Sequence, residues 1–288
     1  MANLILKPST GGVLKLQNDA GTVDALTVIT GGDLTAAGTL AVTGATTLSG
    51  TVNAPGIQGR LLAVDSYYQS GNSQAAISDS WTRPTGCNYA LVYVTGGGGG
   101  GCSGQENDMP GSSGGAGGTA IDWVDVTGLA VNGTVAITVG VGGSAYTGAY
   151  ANNVQAGTGG TSSFGSYCSA TGASGGKMND DSNRSGGFGG QGAGGFINLF
   201  GGTGTSGQHD TALANLAGLQ GGSSFWSGGG SGAPDDNSSM PTHGNITRNG
   251  AGACYHGRHG AGGAGQLGHN SASGGTGGAG VVVVYAYS

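Results

Sequence analysis

The chain has 288 residues, of which 69 are glycine and only 8% are charged, and its formal net charge is −6. Ordinary globular proteins carry about 7% glycine and about 25% charged residues, so an average globular enzyme is excluded. A hydrophobic content of 36% argues against a disordered coil, and the scattered glycines with only 6 prolines lack the continuous Gly-X-Y frame of collagen.

The 8 Lys and Arg are scattered singly, which leaves no basic stripe for phosphates and argues against nucleic acid as a partner. No stretch approaches the ~20 apolar residues of a membrane helix. The start "MANLILKPST" lacks the apolar segment and cleavage site of a signal peptide, so synthesis in the cytosol without export is expected.

Residues 1–29 show short alternating runs around Leu4–Leu6, Val13–Leu16 and Leu26–Ile29, broken by Gly-Gly and Asn-Asp turns. They predict a small β-module. In residues 30–58, Gly32, Gly38, Gly44 and Gly50 recur every six residues, with Leu34, Ala36, Leu40, Val42, Leu48 and Val52 in strict alternation between them. That is the strand period with regularly spaced bends. Four hexads are too few to bury their own apolar face, so three identical chains winding into a homotrimeric shaft are expected, against a plain monomeric meander. Residues 59–80 read as a polar connector opening on "LLAV".

From Trp81 to Ser288 the pattern changes. "WTRPTGCNYALVYV" places Cys87, Tyr89, Leu91 and Tyr93 on one side of a strand and Ala90, Val92 and Val94 on the other, so both faces are expected to be covered. Further strands are predicted at "AIDWVDV" (120–126), "TVAITVGVGG" (134–143), "SSFGSYCSA" (162–170) and the terminal "GVVVVYAYS". They imply an all-β sandwich whose sequence ends pair. No comparable strand occurs between Ala170 and Gly280, where glycine concentrates.

The glycines there are phased. "GGAGG" (114–118), "GGFGGQG" (186–192), Gly257/Gly260/Gly263, Gly262/Gly265/Gly268 and "GGTGGAG" (274–280) all step by three. Three residues per turn is the polyproline II period, in which glycine faces let backbones approach closely enough to hydrogen-bond. Hexaglycine 96–101 is then expected as a rod of a packed polyglycine II-like insertion.

The ordered series "WTRPTGCNYALVYVTGGGGGG", "GGAGGTAIDWVDVTGL", "VAITVGVGGSA", "GTGGTSSFGSYCSATGASGG" and "GAGVVVVYAYS" resembles the glycine-rich domain of bacteriophage tail-fibre and related virion proteins. "GDLTAAGTLAVTGATTLSGTV" is similar to the shaft repeats that precede such tips, and the glycine interval resembles, in composition, the distal adhesins of T-even-like phages. The resemblance implies a virion protein that docks to other tail or fibre proteins through its N-terminal module and binds a bacterial cell-surface receptor, a saccharide or an outer-membrane protein. The alternatives are a capsid or tail decoration without a specific receptor, or an envelope-polysaccharide hydrolase or lyase.

Catalytic motifs arise cheaply in such a composition. "GSSGG" (111–115) and "GASGG" (172–176) satisfy G-x-S-x-G and "GQGAGG" (190–195) satisfies G-x-G-x-x-G, but none stands between a strand and an amphipathic helix. Gly176-Lys177 is followed by Met178 and not by the Ser or Thr of a phosphate loop. No catalytic residue and no cofactor is expected. Cys254, His256 and His259 in "CYHGRHG", with His269, are weak metal candidates by residue type, and free thiols are expected of the four cysteines. Aromatics in the glycine interval point to recognition. Phe188, Phe196 and Phe200 are read as fillers between rods, and Phe225, Trp226, Tyr255 and His256 as the exposed receptor-binding set, while Tyr89, Tyr93, Trp123 and Tyr285 are expected to be occupied in the sandwich or in trimer contacts.

Overall fold

The computed structural model describes residues 59–69, 75–103, 111–147, 153–179, 184–207, 219–231, 257–265 and 274–288, together with the backbone of three short N-terminal strands. Cys254, Tyr255, His256, His269 and the hexads after Ala36 lie outside the described residues. The chain divides into two compact units, Met1–Ala54 and Pro55–Ser288.

In the first unit β1 (Leu14–Gln17), β2 (Asp24–Val28) and β3 (Leu34–Ala36) form an antiparallel three-stranded sheet in that order. The alternating runs of the sequence supply β1 and β2. The first hexad supplies β3, which pairs Leu34 with Val28 and Ala36 with Leu26, across the boundary drawn between module and shaft.

The second unit is all-β and antiparallel, built on two facing five-stranded sheets. One has the order β15-β7-β6-β16-β4, the other β14-β11-β10-β8-β5. Their strands are β4 (Leu61–Tyr68), β5 (Ile77–Thr82), β6 (Tyr89–Thr95), β7 (Thr119–Asp125), β8 (Thr134–Val139), β10 (Ser162–Phe164), β11 (Cys168–Ala170), β14 (Gly192–Ala193), β15 (Ile197–Leu199) and β16 (Val281–Tyr287). A small sheet joins β9 (Val154–Gln155), β12 (Lys177–Met178) and β13 (Arg184–Ser185). Residues 59–80, read from the sequence as a connector, in fact supply β4 and β5. Polar residues there disguise half-buried strands: Asp65 faces inward because its carboxylate accepts the Trp81 Nε1 hydrogen at 3.1 Å. The C-terminal strand inserts between β4 and β6, pairing Val284 with both Asp65 and Val92, and Gly59 N donates to Ser288 O at 2.9 Å, so the ends of the unit meet.

Strand alternation sorts the side chains as the period requires. Ala90, Val92 and Val94 of β6 and Val282, Val284 and Ala286 of β16 are fully buried between the sheets, with Ile137, Val139, Trp81 and Phe164 opposite. Trp81 and Phe164 meet at 5.7 Å between ring centroids and are the largest fully buried side chains.

Beyond the strand ends the side chains vanish and the strands run on as glycine segments. β6 continues into 96–102, β11 into 171–176 and β8 into 140–146, while 111–118, 157–160 and 274–280 lead into β7, β10 and β16. These segments bond with a period of three. Gly96 and Gly99 donate to Gly118 and Gly115, Gly97 and Gly100 to Gly160 and Gly157, and Gly98 and Gly101 to Gly278 and Gly275, at 2.8–3.0 Å. The same rod accepts from Gly143 and Tyr146, from Ala173 and Gly176, and from Gly263. Hexaglycine is therefore the centre of a bundle, with neighbouring segments on six sides and every residue from Gly96 to Gly101 buried. Segment 113–118 is a second such centre, donating to 202–205, 260–263 and 171–174.

Few side chains fit between such rods, and those that do are small: Ala116, Ala173, Ala261 and Ser113 are buried there. A β-carbon on Gly98 would overlap the Ala261 carbonyl, and one on Gly277 the Gly98 carbonyl, both backbone groups that cannot swing aside. A β-carbon on Gly228 meets nothing within 4 Å. Gly98→Ala and Gly277→Val are thus expected to cost about 1–3 kcal/mol or more, as overpacking against a rigid neighbour does. Gly228→Ala is expected to stay within about 0.5 kcal/mol. Thermal denaturation of the three variants checks the ordering.

Candidate functional site

Rod packing dictates where an aromatic ring can go. In "GGFGGQG" the phases 186/189 and 187/190 are all glycine and face neighbouring backbones, Gly189 against Gly201 and Gly187 against Ser174. Only the third phase, Phe188 and Gln191, is left for side chains. Segment 200–205 repeats the rule, with Gly201 and Gly204 packed on Ala116 and Ser113 and Phe200 outward. The two rods are neighbours, since Gly201 N donates to Gly190 O and Gly204 N to Gly187 O, each at 2.9 Å. Phe188 is 74%, Phe200 71% and Phe196 63% exposed. The expectation that these three fill gaps between rods is therefore overturned, because rods this close have no gaps. The sequence did hold the signal: two glycine phases out of three leave the third as the only open face.

Phe225 and Trp226 are held more firmly than the sequence suggests. They sit in a turn stapled by Ser224, whose hydroxyl accepts from Trp226 N and Ser227 N and donates to His259 O at 2.7 Å. Both rings pack on Tyr93 of β6, at 5.8 and 5.6 Å, and Trp226 Nε1 donates to Thr95 Oγ1 at 3.0 Å, itself paired with Thr119 Oγ1 at 2.8 Å. Phe225 is half-exposed and Trp226 less so. They cover the outer face of the β6 sheet rather than project from it.

Of the two places expected for the strand aromatics, the sandwich or a trimer contact, the described residues bear only on the first. Tyr89, Tyr93, Trp123 and Tyr285 do not fill the core between the sheets. Strand register turns Ala90, Val92, Val94 and Val124 inward, so these rings lie on the outer face, with Trp123 and Tyr89 substantially exposed. Core aromatics come instead from Trp81 and Phe164, on the opposite sheet.

Of the metal candidates only His259 is described. Its backbone is left-handed (φ 44°), and its ring meets Tyr68 edge-on at 5.5 Å. Burial, and then the neighbouring Arg258 guanidinium, hold its imidazole below the ordinary histidine range. No group of three metal-ligating side chains occurs among the described residues. Cys87, Cys102 and Cys168 are buried free thiols, in line with the sequence reading. Burial, reinforced by the Asp122 carboxylate, pushes the Cys168 thiol up to about 12, which keeps it protonated and unreactive. Burial likewise raises Cys87 and Cys102. The serines of the G-x-S-x-G matches, Ser113 and Ser174, are packed into rods: Ser113 Oγ accepts from Gly265 N at 2.9 Å and Ser174 Oγ from Phe188 N at 2.7 Å.

A family model described as a glycine-rich domain matches residues 70–287. The chain belongs to the glycine-rich domain family. Among curated proteins, none matches it significantly. The glycine-rich domain match begins after β4, yet β4 forms a full ladder with β16, so the folded unit starts before the matched region.

Exposure and packing separate the two aromatic groups. Trp226→Ala removes the hydrogen bond to Thr95 and the cover of Tyr93, and is expected to cost about 1–2 kcal/mol. Phe188→Ala, at an exposed site, is expected to stay within about 0.5 kcal/mol. Chemical denaturation of both variants distinguishes a packed ring from a displayed one.

Proposed function

We propose that this chain is a bacteriophage tail-fibre or virion-fibre protein whose glycine-rich unit is a host-receptor-binding tip. Residues 1–29 dock to other virion proteins, the hexads of residues 30–58 wind with two further copies into a trimeric shaft, and the period-three segments are polyglycine II rods. The role is adhesive and non-enzymatic, exercised on the virion after synthesis in the host cytoplasm. In the receptor contact, Phe225, Trp226, Tyr255 and His256 act together with Phe188 and Phe200. The observation that carries this reading is the exposure of Phe188 and Phe200, 74% and 71%, on backbone fixed by hydrogen bonds on several sides. A ring held that way loses little conformational entropy on contact, and three copies multiply a weak contact by avidity.

The test uses the purified full chain on intact susceptible cells. Light scattering is expected to give about three times the monomer mass, and the wild-type protein to bind cells. Phe188→Ala with Phe200→Ala is expected to weaken that binding at least tenfold, as loss of anchor rings does, with mass and melting temperature unchanged. A wild-type chain that binds no cell surface rejects the adhesive role and leaves a decoration of the particle.

A further inference from the structure

On the outer face of the β6 sheet, where β16 ends, three rings stack in series. Trp123 lies 5.2 Å from Tyr287 and 6.2 Å from Tyr89, with interplanar angles of 28° and 27°. They line an open cleft of about 440 Å³, rimmed by Asn88, Thr127 and Ser288. That volume falls within the range of small-ligand sites, and an apolar wall with a few polar groups at its edge is their usual make-up. Trp123 is 47% and Tyr89 39% exposed. Exposed rings that form one contiguous patch, unlike single exposed rings, mark a contact site.

The geometry and charge of the cleft select among ligands. Trp123 stacks on Tyr89 and Tyr287 and stays 47% exposed, which leaves one open ring surface, whereas a quaternary ammonium is held by an aromatic cage that encloses it. No charged side chain lines the cleft among the described residues, which disfavours phosphorylated or sulfated ligands and nucleotides. An open indole surface fits the axial C–H face of a pyranose ring. The rim supplies what ring hydroxyls need. Asn88 offers an amide donor and acceptor. The Thr127 hydroxyl gives its hydrogen to Asp125 Oδ1 at 2.7 Å, so its lone pairs are directed to accept. Asp125 in turn is held below the usual carboxylate range by the Thr127 backbone and side-chain hydrogen bonds, which fixes the turn carrying that hydroxyl.

We infer that the Tyr89–Trp123–Tyr287 cleft is a binding site for neutral saccharides, in which a pyranose with an all-equatorial face, such as β-linked glucose or N-acetylglucosamine, stacks on Trp123 and bonds to Asn88 and Thr127. The site stands apart from the loop and rod aromatics of the proposed receptor contact, and does not depend on that reading. A fibre that recognises its host elsewhere would hold a sugar here equally well.

The test is titration of the full-length chain with short oligomers of β-linked glucose, galactose and N-acetylglucosamine, with choline as the competing probe. At least one oligomer is expected to bind. Trp123→Ala is expected to weaken it by about tenfold or more, Trp123→Phe to retain most of the affinity, and Gly228→Ala, where an added β-carbon meets nothing, to leave it unchanged. In the wild-type chain, amide exchange is expected to slow around residues 88–89, 123–127 and 287–288 when the sugar is bound, which decides the matter even if Trp123→Ala folds poorly. Binding of choline in preference to every sugar, absence of binding by all the oligomers, protection elsewhere, or a Trp123→Ala affinity equal to wild type would each overturn the assignment.

Discussion

Peptide groups bonding directly to peptide groups on several sides at once is the constraint on which the glycine-rich unit depends. A β-strand offers its hydrogen bonds in two directions, within one sheet. A segment with a threefold period offers them all round, and segment 96–101 uses this to reach six neighbours. The arrangement needs glycine at most positions, since an added β-carbon would land on a facing backbone group at nearly every buried rod glycine, and only small residues such as Ala116 and Ala173 enter the remaining phases. Energetically each bond contributes about 1 kcal/mol net, while fixing a backbone costs roughly 1–2 kcal/mol per residue. One isolated rod would therefore not hold. Continuity with the strands helps offset the deficit, because β6, β7, β8, β10, β11 and β16 already place the rods in register.

The sandwich and the bundle are thus one construction in two chemistries. Where strands carry Val, Ile and Ala, the two sheets stand apart and the space fills with apolar side chains around Trp81 and Phe164. Where the same chain turns to glycine, side chains disappear and backbones close on one another. Thr95 and Thr119 mark the change: they are the last ladder pair of β6 and β7, both are buried, and their hydroxyls satisfy each other where the apolar core ends.

Close packing also governs what the surface can present. Large side chains survive only at a rod phase turned away from the neighbouring rods or on the outer face of a sheet, and aromatics occupy both places. Phe188 and Phe200 stand alone on rods, whereas Phe225, Trp226 and Tyr285 converge on Tyr93. The first arrangement suits display and the second suits cover. This difference gives the proposed receptor contact its centre of weight on the rods, and leaves Trp226 as much a part of the fold as of any recognition surface.

Much of the fold was legible in the sequence. Alternation located β6, β7, β8 and β16, because period two is a local property that survives any tertiary context, whereas residues 162–170, read as one strand, form the hairpin of β10 and β11. Glycine phasing foretold segments of period three, again a local property. By contrast β4 and β5 were read as connector, since Asp65 and Ser80 look like loop residues until Trp81 gives the carboxylate a donor. Which face of β6 is inward was not legible either: Ala90, Val92 and Val94 compete with Leu91, Tyr89 and Tyr93 on equal apolar terms, and only the opposing sheet decides. The exposure of Phe188 was implicit in its two glycine-filled neighbouring phases, but the hardness of the packing that forces it outward appears only when the neighbouring rods are in place. Sequence by itself therefore determined the periods, two in the strands and three in the rods, because those are written residue by residue. Tertiary structure alone decided which faces meet, for that depends on partners as distant in sequence as Gly59 and Ser288, and no local pattern names its partner.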